Sequence, residues 1–523
     1  MPEALLRRLQ GWLVTGSKTQ QIVGTIVLCL IVGGASGALF AFLGPLFAVA
    51  FVTTAAVGLA MLRSTQLAFF ALVGLICLLP FASLPVPDIG FSPTLLDVVL
   101  VVLLFMWLFR VARKKQTRFV SSPLGLPILV FMILACGSFV VGLSFGSLTT
   151  NLLRRFAELL LNLFLFFLVI NNVRKQEQLE QIITVLILAG FAASLIGIVL
   201  YFLPQELTIR LLSLLRILRY PSGSSVLRFV EDNPELPLRA TSTSVDPNVF
   251  GGLLVIVTAI TAPQLLARRP LPLFGDWWRR RKPAPASVSR GVNWLAAPIL
   301  ATMVVCLLLT YSRSALLGLA TALCVVAVLR YRKLLVLALL VGLLILLLPQ
   351  TRWYVQHLVE GLRGEDLATQ MRFGEYKDAI ILVSRYPWLG VGFAEAPDID
   401  TYIGVSMLYL LIAEEMGLVG LGVFLLIMAL AVAQMLKRLR NLVDSPRLEA
   451  ILLGLLAAIL GALVSGVFDH YFFNVNFQHA VALFWLCLGL SISAVLLPVK
   501  QAHKTSGAIP SQDGVPVLGH SVL

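Results

Sequence analysis

Long apolar runs alternate with short charged or turn-forming breaks along most of this chain. A helix that crosses a membrane needs about 20 apolar residues, because the hydrocarbon core is roughly 30 Å thick and every backbone N–H and C=O must be bonded within the helix. Runs of this kind predict spans near 22–41, 45–62, 66–83, 94–110, 123–144, 155–171, 181–203, 246–266, 292–310, 313–329, 334–349, 405–434, 447–468 and 477–497. The expected total is about fourteen, with about 12 as the lower bound at this segment length. Gly44-Pro45 alone parts the first two runs, and Pro80 interrupts the third. Two polar segments are too long to be plain connectors. In 204–243, the stretch 206–219 spaces Leu and Ile so that Arg210, Arg216 and Arg219 ride the rim of an interfacial amphipathic helix. In 350–404, residues 370–385 read as an amphipathic helix ended by Pro387, and "WLGVG" supplies flexible or close-approach backbone.

Composition places the whole pattern in one class. Of 523 residues 59% are hydrophobic and only 13% charged, and the mean hydropathy is +0.94, far outside the soluble globular range. The expected fold is an all-α polytopic membrane helix bundle. Orientation follows from the Lys/Arg bias of short loops. Clusters at 110–118, 173–176, 267–283, 330–333 and 437–440 occupy alternate connections, which puts them and both termini in the cytoplasm. The segments 204–243 and 350–404 then lie outside. No small-residue cleavage site follows the first apolar run, so the first span is expected to serve as its own insertion signal. The chain thus divides into N-terminal spans (1–203), an outer loop with an amphipathic helix (204–243), spans 244–349, a large outer loop (350–404), C-terminal spans (405–497) and a cytoplasmic, disordered tail (498–523).

The formal charge of +14 fits loop topology and contact with anionic membrane lipids, and implies no nucleic acid partner. The basic residues assigned to the outer face are arginines except for Lys377. A planar, permanently charged fork suits a pyrophosphate, and it equally suits lipid head groups. The six cysteines (Cys29, Cys77, Cys136, Cys306, Cys324 and Cys487) all fall in apolar runs, with no metal-ligand spacing. No phosphate-binding glycine loop follows a strand. No metal and no cofactor is therefore expected, and any activated group must arrive with the substrate or through an ion gradient.

Four stretches carry a family likeness: "RATSTSVDPNVFGGLL" (239–254), "LLLTYSRSALLGLA" (307–320), "MRFGEYKDAIILVSRYPWLGVG" (371–392) and "LYLLIAEEMGLVGLGVFLL" (408–426). In this order and with these spans between them, they resemble the O-antigen ligase and O-antigen polymerase family of bacterial envelope proteins. The resemblance implies a fold of the lipid-sugar-dependent glycosyltransferase type in the inner membrane. It implies transfer of a glycan from undecaprenyl diphosphate to a glycan or lipid acceptor on the outer face, with no nucleotide sugar. Arg313 in the S-R pair and Arg372 in the outer-loop helix then become diphosphate ligands, with Arg239 and Arg385 as lesser candidates. The family places a histidine, usually followed by Asn, at the start of the span that carries E-x-G; Ser406-Met407 stand there instead. His470, with Asp469 beside it in "GVFDHYFFNVNFQ", is the candidate replacement base, and Glu415 the alternative. A different class also fits a chain without that histidine, namely a transporter or non-catalytic envelope protein, for example a bicarbonate-type carrier. Asp97, Glu158 and Asn162 are its main candidate mid-span polar residues. A polysaccharide polymerase would perform the same transfer on a growing glycan.

Overall fold

The computed structural model describes residues 64–84, 93–113, 119–273, 294–332, 367–394, 404–442 and 445–498, with isolated positions before 64 and at 363. The described residues form thirteen α-helices: α1 (Thr65–Leu78), α2 (Leu95–Ala112), α3 (Gly125–Gly142), α4 (Thr150–Asn172), α5 (Gln176–Phe202), α6 (Gln205–Ser213), α7 (Pro247–Leu266), α8 (Ala296–Leu309), α9 (Arg313–Leu329), α10 (Leu367–Arg385), α11 (Leu408–Leu439), α12 (Pro446–Ser465) and α13 (Gln478–Leu496). The only β pairing among them is two isolated bridges, Ser83 with Thr94 and Phe229 with Leu238.

Seven of these helices are long and apolar enough to cross a membrane: α2, α3, α5, α7, α11, α12 and α13. The chain is a polytopic helical membrane protein. The count of about fourteen is not reached among the described residues: the run at 155–171 lies in α4, which is not among the seven, and two further reasons account for the rest. The runs at 22–41, 45–62 and 334–349 lie almost wholly outside them. Those at 66–83, 292–310 and 313–329 form only short helices, because Pro80 follows the end of α1 and the turn Thr310–Ser312 separates α8 from α9. The predicted interfacial helix at 206–219 is α6 followed by a 3-10 turn, Leu214–Leu218, and Arg210, Arg216 and Arg219 are exposed as expected.

Two helices form the buried centre, α7 and α13, with α12 packed beside both. The outer helices present apolar stripes at helical spacing, such as Val101, Phe105 and Leu108 on α2 and Leu126, Leu129 and Ile133 on α3, all exposed and suited to lipid. Small residues bring the centre together. A methyl group on Gly318 of α9 would stand 2.7 Å from the carbonyl oxygen of Gly461 on α12, and one on Gly461 would stand equally close to that of Gly318.

Contacts sort the helix ends: Ser83 bridges Thr94, Arg154 binds Asp97, Gln478 donates to the Arg155 carbonyl, Ser314 to Asp469, and the Leu408 N–H to the Gly466 carbonyl. One end gathers the N-termini of α2, α4, α7, α9, α11 and α13, together with the 204–246 and 466–477 segments. The other holds Arg110, Arg174, Arg268, Arg330 and Lys437. The first end therefore collects N-terminal helix dipoles, which favour anions.

Candidate functional site

At that end three segments meet. The first enters α7. Asp246 caps the helix, its side chain accepting from the N–H groups of Asn248 (2.8 Å) and Val249 (2.9 Å), and Pro247 begins it, as an N1 proline can. Arg239 ties this segment to the α8–α9 turn: its Nε donates to the Thr310 carbonyl at 2.8 Å and its Nη2 to Asn248 Oδ1 at 2.6 Å. Ser242, Val245 and Tyr311 adopt left-handed φ of 52°, 61° and 52°, unusual for residues with a Cβ and costly for β-branched Val245.

The second segment is the turn into α9. Ser312 caps the helix, and Ser314 donates from its hydroxyl to Asp469 Oδ2 at 3.3 Å. Arg313 opens the helix, the position where a cation is least favoured by the dipole.

The third is the 466–477 loop. Asp469 is 5% exposed, and its Oδ1 accepts from the backbone N–H of His470 at 3.0 Å. The N–H of Leu408, at the start of α11, donates to the carbonyl oxygens of both Gly466 and Asp469. Tyr471 is buried against Gly252 of α7 and its hydroxyl lies 2.8 Å from that of Ser465.

Helix α10 closes the cluster. Glu375 accepts from the Ser406 N–H at 2.9 Å, and Tyr376 donates to the Ser406 carbonyl at 3.4 Å. Arg372, one turn earlier, reaches Asp469 and His470 with its charge. Burial pushes the Asp469 carboxyl up to about 7, reinforced by Asp246 and opposed by Arg372 and the bonds from His470 and Ser314. Burial lowers His470, while Glu375 and Asp246 pull it back and Arg372 lowers it further. A neutral imidazole at neutral pH is the outcome. Burial also lowers Arg239, offset by Asp246, Asp469 and Asp232.

Arg239, Arg372, Asp469 and His470 are thus brought together, with Arg313 next to the serine that holds Asp469. The Asp469–His470 pair is looser than expected: Oδ1 stands 3.7 Å from Nδ1, too far for a hydrogen bond. Arg385 ends α10, about 20 Å beyond Arg372 at 1.5 Å per residue, and so stands apart from the cluster.

Glu415 occupies a different setting. Gly417 interrupts α11 with φ 70° and ψ 178°, a region open to glycine alone. The Pro387–Phe393 loop clasps the break. Val391 donates to the Glu414 carbonyl (2.8 Å), Gly392 to that of Glu415 (3.1 Å), and Leu418 to that of Pro387 (2.7 Å). Ser138 of α3 donates to the Leu389 carbonyl at 2.7 Å and also contacts the Glu415 carbonyl. A methyl group on Gly390 or Gly417 would overlap the opposite backbone. The backbone of Glu415 thus serves this clasp.

Residues 298–425 match the family model described as O-antigen ligase. The match covers less than half of the chain. No curated protein matches the chain with significance. The matched segment runs from α8 to just beyond the break in α11, so it holds Arg313, Arg372, Ser406 and the clasp, while Arg239, Asp246, Asp469 and His470 join the cluster from outside it. Asp246, Ser314, Glu375 and Tyr376 escaped the reading of the sequence. The D-P-N cap and the i, i+3 spacing of Glu375 from Arg372 were the available signals.

Proposed function

We propose that the chain transfers a glycan from undecaprenyl diphosphate to a glycan or lipid acceptor at the outer face of the bacterial inner membrane, as a ligase or a polymerase. One observation carries the reading: Arg372 shares a single end of the bundle with His470, a half-buried base candidate, and with several helix N-termini. Arg372 and Arg313 hold the diphosphate, Arg372 in bidentate fashion. Arg239, whose guanidinium already serves Thr310 and Asn248, acts as a strut and adds positive potential. The acceptor oxygen attacks the anomeric carbon, the bond from that carbon to the phosphate oxygen breaks, and the diphosphate leaves with the electron pair. The hydroxyl proton passes to neutral His470, which stands in for the histidine that Ser406 lacks. Glu375, bonded to Ser406 and acting on His470, keeps the two positions in one environment and favours the imidazolium as it forms.

The candidate residues of the carrier reading are in part paired within the protein. Asp97 and Glu158 both bind Arg154, at 3.1 and 3.0 Å, and Asn162 donates to Gln478 Oε1 at 2.6 Å.

The test is transfer by the purified chain in lipid nanodiscs, supplied with an undecaprenyl-diphosphate-linked glycan and acceptor. Arg372→Ala is expected to cost roughly 2–4 kcal/mol of transition-state stabilisation, as loss of one charge-assisted donor does. Arg372→Lys should rescue poorly, because an ammonium cannot reproduce the fork. His470→Gln should lower kcat by about 10²–10⁴-fold. Parental rates from Arg372→Ala and His470→Gln alike would remove the site.

A further inference from the structure

Beside the cluster, at the same end of the bundle, the ends of α1, α2, α4 and α13 enclose a cavity of about 590 Å³, within the range of small-ligand sites, about 300–1,000 Å³. Three arginines line it: Arg154, Arg155 and Arg219. Arg154 is held by Asp97 and Glu158 through Nη1, and Arg155 donates to Asn476, so both guanidinium groups are fixed before any ligand arrives. Glu158 and His479, also in the lining, are each 2% exposed. Among the described residues Arg154 Nε, Glu158 Oε1 and His479 Nε2 have no hydrogen-bond partner. Such buried polar atoms are costly unless something bonds to them. Asn151, Asn476 and Gln478 add amide groups, and Phe81, packed edge-on to His479 with centroids 4.8 Å apart, adds an apolar wall.

The cavity and the cluster are built on the same two loops. Val245 lines the cavity and Asp246 the cluster; the loop that carries His470 continues through Asn476 to Gln478 and His479 on the cavity wall. A saccharide whose hydroxyl reached His470 would lie along this loop.

We propose that this cavity is the acceptor subsite of the transferase reading, on which the proposal rests, and that it selects an acidic saccharide, one bearing a carboxylate or phosphate near the reacting hydroxyl. Three guanidinium groups against one lining carboxylate, with Asp97 behind it, leave positive charge for an anionic group. The amides and the aromatic wall match the hydroxyls and the apolar face of a sugar ring.

The test uses the full chain in phosphatidylcholine nanodiscs and three probes: trigalacturonate, a phosphorylated trisaccharide and neutral galactotriose. One or both charged probes should bind at least about tenfold more tightly than the neutral one, the size of a charge-assisted contact, and which of them binds identifies the acidic group. Arg155→Gln and Arg219→Gln should each bring the charged probe to the neutral level while leaving the melting temperature and pyrophosphate binding as in the parent. Arg372→Ala should do the reverse, losing pyrophosphate and keeping the acidic saccharide. Equal binding of charged and neutral probes, or unchanged binding in both cavity variants, would overturn the proposal. So would displacement of the saccharide by phosphatidylglycerol in the disc, which would assign the cavity to a lipid head group. Acidic-saccharide binding by a parent chain that performs no transfer would instead overturn the transferase reading and leave the binding site standing.

Discussion

Asp469 shows how one side chain couples fold and chemistry at this site. Its carboxyl is buried between Ser314 and the backbone of its own loop, and burial raises it from 3.8 to about 7. A raised carboxyl makes the folded chain bind more protons than the unfolded one between those values, so stability falls as pH rises through that window. The penalty is absent below about 3.8 and complete above about 7. Asp469→Asn removes the ionisation and keeps an oxygen to accept from Ser314. Its melting temperature relative to the parent should therefore improve between pH 5 and pH 8. A difference that is flat with pH would mean that Asp469 is not the buried acid described here. The sequence marked Asp469 and His470 through their chemistry alone. Their surroundings were not legible, because the Ser314–Asp469 contact joins residues 155 apart and leaves no trace in local periodicity.

Among the elements, the break in α11 and the loop that clasps it act as a unit. Gly417 is held at a backbone geometry that costs other residues about 1–3 kcal/mol, and an added methyl group there would overlap the Trp388 carbonyl. Gly390 meets the Glu414 carbonyl in the same way from the other side. Gly390→Ala and Gly417→Ala should each lower the melting temperature in detergent markedly. The double variant should be little worse than the poorer single one, since both open the same clasp. Additive losses would show two independent sites. The motifs "WLGVG" and E-x-G were both visible in the sequence, and the first reads as flexible or close-approach backbone, of which the structure shows the close approach. That they bind each other was not visible, because each reads locally as an ordinary loop and an ordinary helix start.

Taken whole, the bundle separates its polar chemistry from its basic loops. The apolar runs were legible as helices because length and hydropathy decide a spanning segment almost alone. Span number was less so, since a single Pro80 or a Thr310–Ser312 turn shortens a helix without breaking the apolar run. Loop charge predicts that the cluster end faces outward. In a cysteine-free background, Ser224→Cys and Ser384→Cys should react with an impermeant thiol reagent in spheroplasts, and Gln176→Cys only after lysis. All three positions are exposed. The opposite labelling pattern would invert the orientation and remove an outer-face donor from consideration.

The clasp at Gly417 bears on what kinship can report. Its glycines constrain how a loop crosses a broken helix, and they fall inside the matched segment, whereas Asp469 and His470 fall outside it. A descendant that abandoned transfer altogether would still need those glycines to assemble its membrane architecture. Likeness over residues 298–425 therefore reports a segment that holds a structural device, and it carries no information about Asp469 and His470, which lie downstream of it.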